Sequence, residues 1–252
     1  MPSWPRTYSL ILRCHSGINA LNMQPCISTS SRLKVLRLTG FPGVKELSNI
    51  LIEGRMPPLE KLVVEGLNWD CSSDQANAIW DWSALVHLEV RASAIIRFLL
   101  CIPTDRISRL KTFITDGHSS RNDYTETTKL LSKFLSGMRG LEHLELRCSI
   151  RELDMSMLKN HGDTLRFLGV RDYVRHYSQF GKIPQLDPDS LNFIGRTCPR
   201  LMEIQFDMTI KAHVSPNSRL HNPLLRKTAG RSIRPGGFDS YWDTVVQVSQ
   251  NP

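Results

Sequence analysis

The stretch Leu141-Glu142-His143-Leu144-Glu145-Leu146 has leucine at its first, fourth and sixth places. Read as a strand, it sends Leu144 and Leu146 to one face and His143, Glu145 and Arg147 to the other, because successive side chains alternate. Leu141 lies just before the strand, where it can turn in beneath the same core. Six more blocks share this spacing: Leu33-Leu36-Leu38, Leu59-Leu62-Val64, Leu85-Leu88-Val90, Leu110-Phe113-Thr115, Leu165-Leu168-Val170 and Leu201-Ile204-Phe206. From Leu33 to Leu201 the successive starts lie 26, 26, 25, 31, 24 and 36 residues apart. Two copies nearly coincide, His87-Leu88-Glu89-Val90-Arg91 and His143-Leu144-Glu145-Leu146-Arg147.

A period in the twenties with this LxxLxL core resembles a degenerate leucine-rich repeat protein over about residues 32–208. The resemblance implies an α/β leucine-rich repeat solenoid of about seven to eight repeats. Its parallel sheet would curve with the strands on the concave side and short helices on the convex side. An eighth block, Thr7-Leu10-Leu12, starts 26 residues before Leu33, so residues 1–31 read as a leader or an eroded first repeat. After residue 208 no block follows, and proline and glycine punctuate the chain. Residues 209–252 are expected to form a basic, disordered tail, with at most a turn or two of helix over 241–248. No segment at either end reads as a cap for the solenoid.

Between blocks, helical spacing recurs. Val44, Leu47, Ile50 and Leu51 predict a helix after the Gly40–Gly43 turn. Residues 125–137 give the clearest helix, with Leu130, Leu131, Phe134 and Leu135 on its apolar face and Asp123 or Thr125 as its cap. Residues 117–123 read as a polar loop. A short helix is expected over 153–159. After a loop over 173–188, another helix runs through Leu191, Phe193 and Ile194, capped by Asp189 or Ser190. Trp69, Trp80 and Trp82 read as buried packing on the convex side.

The 252 residues are 40% hydrophobic and carry a net charge of +8. That charge belongs mostly to the ends: the first acidic residue is Glu46, and none occurs between Asp207 and Asp239. The basic residues are scattered, with few aromatics among them, which weighs against nucleic acid. Six cysteines form no CxxC pair and no N-x-S/T site occurs, so a reducing compartment, the cytosol or nucleus, is expected. The longest apolar stretch, 92–102, is broken by Arg97 and too short to cross a bilayer. The opening residues resemble a transit peptide in composition, but Pro2 and Pro5 weaken the helix such a peptide needs.

Binding chemistry is expected on the strand face opposite the leucines. The third, fifth and seventh places of the blocks supply Arg37, His87, Glu89, Arg91, His143, Glu145, Arg147 and Arg171, flanked by Lys61, Val63, Glu65, Ile114, Phe167, Gly169 and Gln205. Mixed charges with scattered apolar spots suit a protein partner better than a phosphate backbone. The three arginines Arg91, Arg147 and Arg171 are the expected anchors, against the simpler reading that they pair with Glu89 and Glu145 on a solvated face. No nucleotide-binding glycine loop appears. Asp116-Gly117-His118 with Ser119 reads as a polar loop rather than a catalytic triad. His161 and His176 lack the paired spacing with Cys148 or Cys198 that a metal site needs. Thus no catalytic, cofactor-binding or metal residue is assigned.

Two phrases narrow the resemblance. Arg196-Thr197-Cys198-Pro199-Arg200-Leu201 resembles the cysteine-containing repeats of F-box proteins. The run from Leu158 through His161, Gly162 and Leu165 to Leu168 is similar to degenerate repeats of fungal F-box proteins. That resemblance implies substrate recognition for a cullin–RING ubiquitin ligase, with a ligase adaptor as second partner if an F-box lies upstream. Residues 1–31 depart from the pattern: they are too short for that helical motif and hold no LPxE-like opening. The alternative is a stand-alone scaffold with no ubiquitin link.

Overall fold

A computed structural model describes residues 8–14, 32–40, 55–67, 69–91, 95–116, 124–172, 186–206, 226–227 and 245–247. The LxxLxL blocks become strands: β1 (Ser9–Cys14), β2 (Val35–Gly40), β3 (Lys61–Glu65), β4 (His87–Arg91), β5 (Thr112–Thr115), β6 (His143–Arg147), β7 (Phe167–Arg171) and β8 (Glu203–Phe206). They form one open α/β sheet in chain order, every neighbouring pair parallel. Parallel neighbours need a crossover between them, which the long intervals supply.

Register follows the block numbering without a slip. The fourth places Leu10, Leu36, Leu62, Leu88, Phe113, Leu144, Leu168 and Ile204 stand side by side. The sixth places from Leu12 to Phe206 form a second buried row. A slip of one residue would turn either row to solvent, which fixes the register. A backbone device recurs at the start of each rung. The second-place carbonyls of Tyr8, Lys34, Glu60, Val86, Lys111, Glu142 and Arg166 each accept two consecutive N–H groups of the next block, at 2.8–3.1 Å.

The returns pack on the buried face. Helix α1 (Ser73–Ile79) opens with a capping box in which Ser72 and Gln75 satisfy each other's backbone N–H. Helix α2 (Ile95–Cys101) buries Ile95, Phe98, Leu99 and Cys101. Helix α3 (Tyr124–Ser136) buries Leu131, Phe134 and Leu135, the face its spacing predicted. Trp69, Trp80 and Trp82 are buried together as expected, with Trp80 stacked on Trp82 at 5.5 Å.

Three local expectations change. The helix expected over 153–159 is two 3-10 segments, Ile150–Glu152 and Met155–Asn160, because Leu153 and Asp154 between them are extended. Their backbone N–H groups are satisfied from neighbouring returns: Ser149 donates to Thr128 Oγ1, Asp154 to Ser132 Oγ and Ile150 to Asp172 Oδ2. Helix α4 (Pro188–Thr197) is capped by Asp187 rather than Asp189 or Ser190, and the Ser190 N–H donates to Asp187 Oδ1 at 2.7 Å. Pro188 sits in the first turn, where its missing N–H costs nothing. In the tail, β9 (Arg226–Lys227) and β10 (Val245–Gln247) are strands, β10 antiparallel on β8 and β9 antiparallel on β10. A strand over 245–247 replaces the helical turn expected there. The predicted helix after the Gly40 turn, the Asp123 cap, the polar loop at 117–123 and the aromatics of 173–180 lie outside the described residues, as do most of 1–31 and 209–252.

His161 stitches the rungs together. It is 1% exposed, accepts the Leu141 N–H at Nδ1 (3.3 Å), and lies 3.0 Å from the Leu135 carbonyl through Nε2. An acceptor at Nδ1 requires the proton on Nε2, so the ring is neutral and donates to Leu135. Burial, the largest influence, lowers its pKa below the ordinary imidazole value. The unfolded chain therefore takes up this proton at a higher pH than the folded chain does. Stability from His161 is present above the ordinary imidazole range, about 6.5, and is lost as pH falls below it. Urea denaturation should show the wild-type midpoint falling between neutral and mildly acidic pH. His161→Asn should be weaker at neutral pH, with a shallower fall; an unchanged slope would contradict this.

Candidate functional site

The opposite sheet face gathers the residues predicted from block positions. Its third-place row runs Ser9, Val35, Lys61, His87, Thr112, His143, Phe167, Glu203 in register. The fifth-place row runs Ile11, Arg37, Val63, Glu89, Ile114, Glu145, Gly169, Gln205. Strand pairing also aligns Thr39 with Glu65, Glu65 with Arg91, and Arg147 with Arg171. Most of these side chains are half-buried or exposed; Val63 and Gly169 are covered by their neighbours.

Three local groupings divide the face. Over β2 and β3, Arg37 Nη2 donates to Glu65 Oε2 at 2.7 Å across the strands. This pair is about half exposed, so it is worth at most about 1 kcal/mol.

Over β4 the pairing is within one strand. Arg91 Nε donates to Glu89 Oε1, and His87 Nε2 approaches the other carboxylate oxygen at 3.6 Å. Residues two apart on a strand share a face, so this clamp needs no turn or loop to align it. The His87 ring and then the Arg91 guanidinium hold the Glu89 carboxyl down to about 2, against the opposing effect of burial. Burial works against the Arg91 charge, but Glu89, then Glu145 and Asp116, more than offset it. Glu89 is thus a fixed anion at any physiological pH, and Arg91 a fixed cation beside it.

Over β6 to β8 the second His-Leu-Glu-Leu-Arg copy is organised differently. His143 stacks flat on Phe167, ring centroids 4.1 Å apart and planes within 5°. Burial lowers the His143 pKa and nearby His87 adds to this, while Glu145 and Glu203 oppose it. Gly169 lets two side chains lie over the sheet: a Cβ there would meet Glu145 Cγ at 3.1 Å and Phe167 Cε1 at 3.2 Å. Arg171 Nη2 donates to Gln205 Oε1 at 3.2 Å, and Gln205 Nε2 donates to Glu203 Oε1 at 2.7 Å. The Gln205 bridge was not legible, since an amide's partner depends on side-chain reach rather than on block position.

All eight predicted site residues therefore lie on β2, β4, β6 and β7 and share one face. They do not converge on one cluster: Arg37 stands two strands from Glu89, and β5 with Thr112 and Ile114 separates the two histidine-bearing strands. The result is an extended surface of mixed charges and apolar spots with one stacked histidine–phenylalanine pair.

Away from this face, Cys71, Cys101, Cys148 and Cys198 are free and buried. Burial pushes the Cys71 and Cys198 thiols up to about 11 and raises Cys101 and Cys148 as well. They are protonated at neutral pH and act as small apolar fillers. Among the described residues, no three His, Cys, Asp or Glu side chains are placed to hold a metal ion. None of the described helices is long and apolar enough to cross a membrane. Comparison with family models, with curated proteins and with solved structures returns no match for this chain.

Proposed function

We propose that the chain is a leucine-rich repeat solenoid that binds another protein on the concave, solvent-facing side of its sheet. The observation that carries the repeat reading is the paired N–H device, repeated at the same place in seven successive blocks. Identical local chemistry at each rung is what stacked repeats require. The binding reading is supported by the Glu89–Arg91 charge pair on β4 and, across β5, the stacked His143–Phe167 pair on the same face. Aromatic and arginine side chains held in place lose little entropy on docking and dominate protein interfaces. The resemblance to fungal F-box proteins extends the proposal to substrate recognition for a cullin–RING ubiquitin ligase in the cytosol or nucleus.

The test is the double substitution Arg91→Glu with Arg147→Glu, compared with wild type by cross-linking and recovery of the full chain from cells. Removing two anchors of about 2 kcal/mol each should weaken a partner by roughly a thousandfold, with circular dichroism unchanged. Loss of the dichroism signal would mean that these arginines do not face solvent. Recovery of a ligase adaptor with wild type supports the ubiquitin reading. Recovery of a partner without adaptor favours the stand-alone scaffold.

A further inference from the structure

The glutamates of the strand face are not equivalent. Glu65 accepts from Arg37 Nη2, Glu89 from Arg91 Nε, and Glu203 from Gln205 Nε2 at 2.7 Å. Glu145 differs: among the described residues it enters no hydrogen bond and no ion pair, although it is half-buried. The contrast with Glu89 is informative because the two strand copies match so closely. Arg147 follows Glu145 by two places, as Arg91 follows Glu89, yet only the Glu89–Arg91 pair closes.

The neighbouring strand supplies the reason. Gly169 leaves a gap in the fifth-place row, and Glu145 leans into it. Its Cγ lies 3.1 Å from where a Cβ of residue 169 would stand, and Phe167 Cε1 lies 3.2 Å from the same point. The stem of the carboxylate and the edge of the ring thus meet above one glycine, and the ring is held by His143 stacked flat on it. The cations around this corner are engaged elsewhere: Arg91 acts on Glu145 from across β5 but donates to Glu89, and Arg171 donates to Gln205 Oε1. Burial lowers the His143 pKa, so that ring does not supply the missing charge at neutral pH.

We propose that the protein partner brings an arginine to this corner, its guanidinium donating to Glu145 and lying against Phe167. The inference rests on the reading that this face binds a protein. While water reaches a half-buried carboxylate, its lack of a donor costs little. Under a docked partner that water is gone, and a charge left without a donor is strongly unfavourable. Glu65, Glu89 and Glu203 carry their own donors into such an interface, whereas Glu145 has to receive one from the partner. Charge complementarity therefore calls for a cation here, and the geometry favours arginine over lysine. A planar guanidinium meets a carboxylate with two parallel bonds and is weakly hydrated, so it tolerates an aromatic neighbour. An ammonium is a strongly hydrated point charge, and an acidic side chain would set like charge beside Glu145.

The test titrates the full chain with a blocked pentapeptide of glycines around a central arginine, and with its lysine and glutamate counterparts. Magnetic resonance follows the Gly169 amide and the Phe167 ring. The arginine peptide should give saturable shifts at both, the lysine peptide should bind more weakly, and the glutamate peptide should leave both unmoved. Glu145→Gln keeps the side chain's shape and should weaken the arginine peptide about tenfold or more. Glu65→Gln removes a carboxylate that already has its donor and should change nothing, which separates this seat from a general attraction to the face. No saturable shift with the arginine peptide, an equal response to glutamate, or equal effects of the two substitutions would each overturn the proposal. Cross-linking from cells separates this inference from the wider reading. A partner recovered by Glu145→Gln at the wild-type yield removes the arginine seat and leaves the binding face. A wild-type chain that recovers no partner through the face ends both.

Discussion

Leu144→Asp should abolish cooperative unfolding of the sheet. Leu144 is fully buried in β6, in register between Phe113 of β5 and Leu168 of β7. Truncating such a leucine to alanine costs about 2–5 kcal/mol, and an unpaired carboxylate in its place adds several more. A domain with a total stability of about 5–15 kcal/mol does not absorb that sum. From β1 to β7 each strand pairs only with its sequence neighbours, so the damage starts at β5 to β7 and removes the support of the rungs on either side. Leu144→Met keeps volume and apolarity and should cost less than about 1.5 kcal/mol. Urea titration followed by circular dichroism separates the cases. A Leu144→Asp chain with a wild-type transition would place that side chain outside the stripe.

Trp69→Ala should give the largest loss from a residue off the strands. Trp69 is 1% exposed and lies edge-on to Phe98, with ring centroids 4.7 Å apart and planes at 84°. Its ring also lies 6.1 Å from Trp80 and 6.4 Å from Trp82. Removing a buried tryptophan from such a cluster costs about 3–5 kcal/mol, because the void is too large for its neighbours to fill. For a chain of this size that lowers the melting temperature by roughly 6–20 °C. Trp69→Phe keeps most of the aromatic contact and should lose much less. Equal losses for the two variants would mean that the cluster relaxes around either replacement.

The difference between these sites and the rest of the molecule explains what the sequence made legible. Strand positions follow from a two-residue alternation within each block, a local property, so the eight strands, their order and their buried rows could be read directly. The fate of Leu153 and Asp154 could not. Apolar spacing predicted a helix there, but a longer-range bargain prevails, in which Thr128, Ser132 and Asp172 supply hydrogen bonds to extended or 3-10 backbone. The cap at Asp187 was missed for a related reason: three acidic or hydroxyl residues crowd residues 187–190, and only backbone geometry tells which is the cap. The tail strand at Val245–Gln247 carries no block pattern, and its pairing with β8 depends on an edge formed far away in sequence.

The candidate face shows the same division. Membership follows from block position, so His87, Glu89, Arg91, His143, Glu145, Arg147 and Arg171 could be placed together with Arg37. Pairing did not follow. The two near-identical His-Leu-Glu copies behave differently because their neighbours differ: β5 offers Thr112 beside His87, whereas β7 offers Phe167 beside His143. Arg37 finds its acid one strand away, and Arg91 finds its own two residues earlier.

The strand-face assignment underlies both the stripe and the candidate site, and one measurement addresses it most directly. Cysteine would be placed singly at positions 143 to 147, and thiol labelling under native conditions followed by peptide mass mapping. Cysteines replacing His143, Glu145 and Arg147 should label quickly, while those replacing Leu144 and Leu146 stay protected until the chain unfolds. Uniform labelling along β6, or protection at 143, 145 and 147 instead, would contradict the arrangement of the whole sheet.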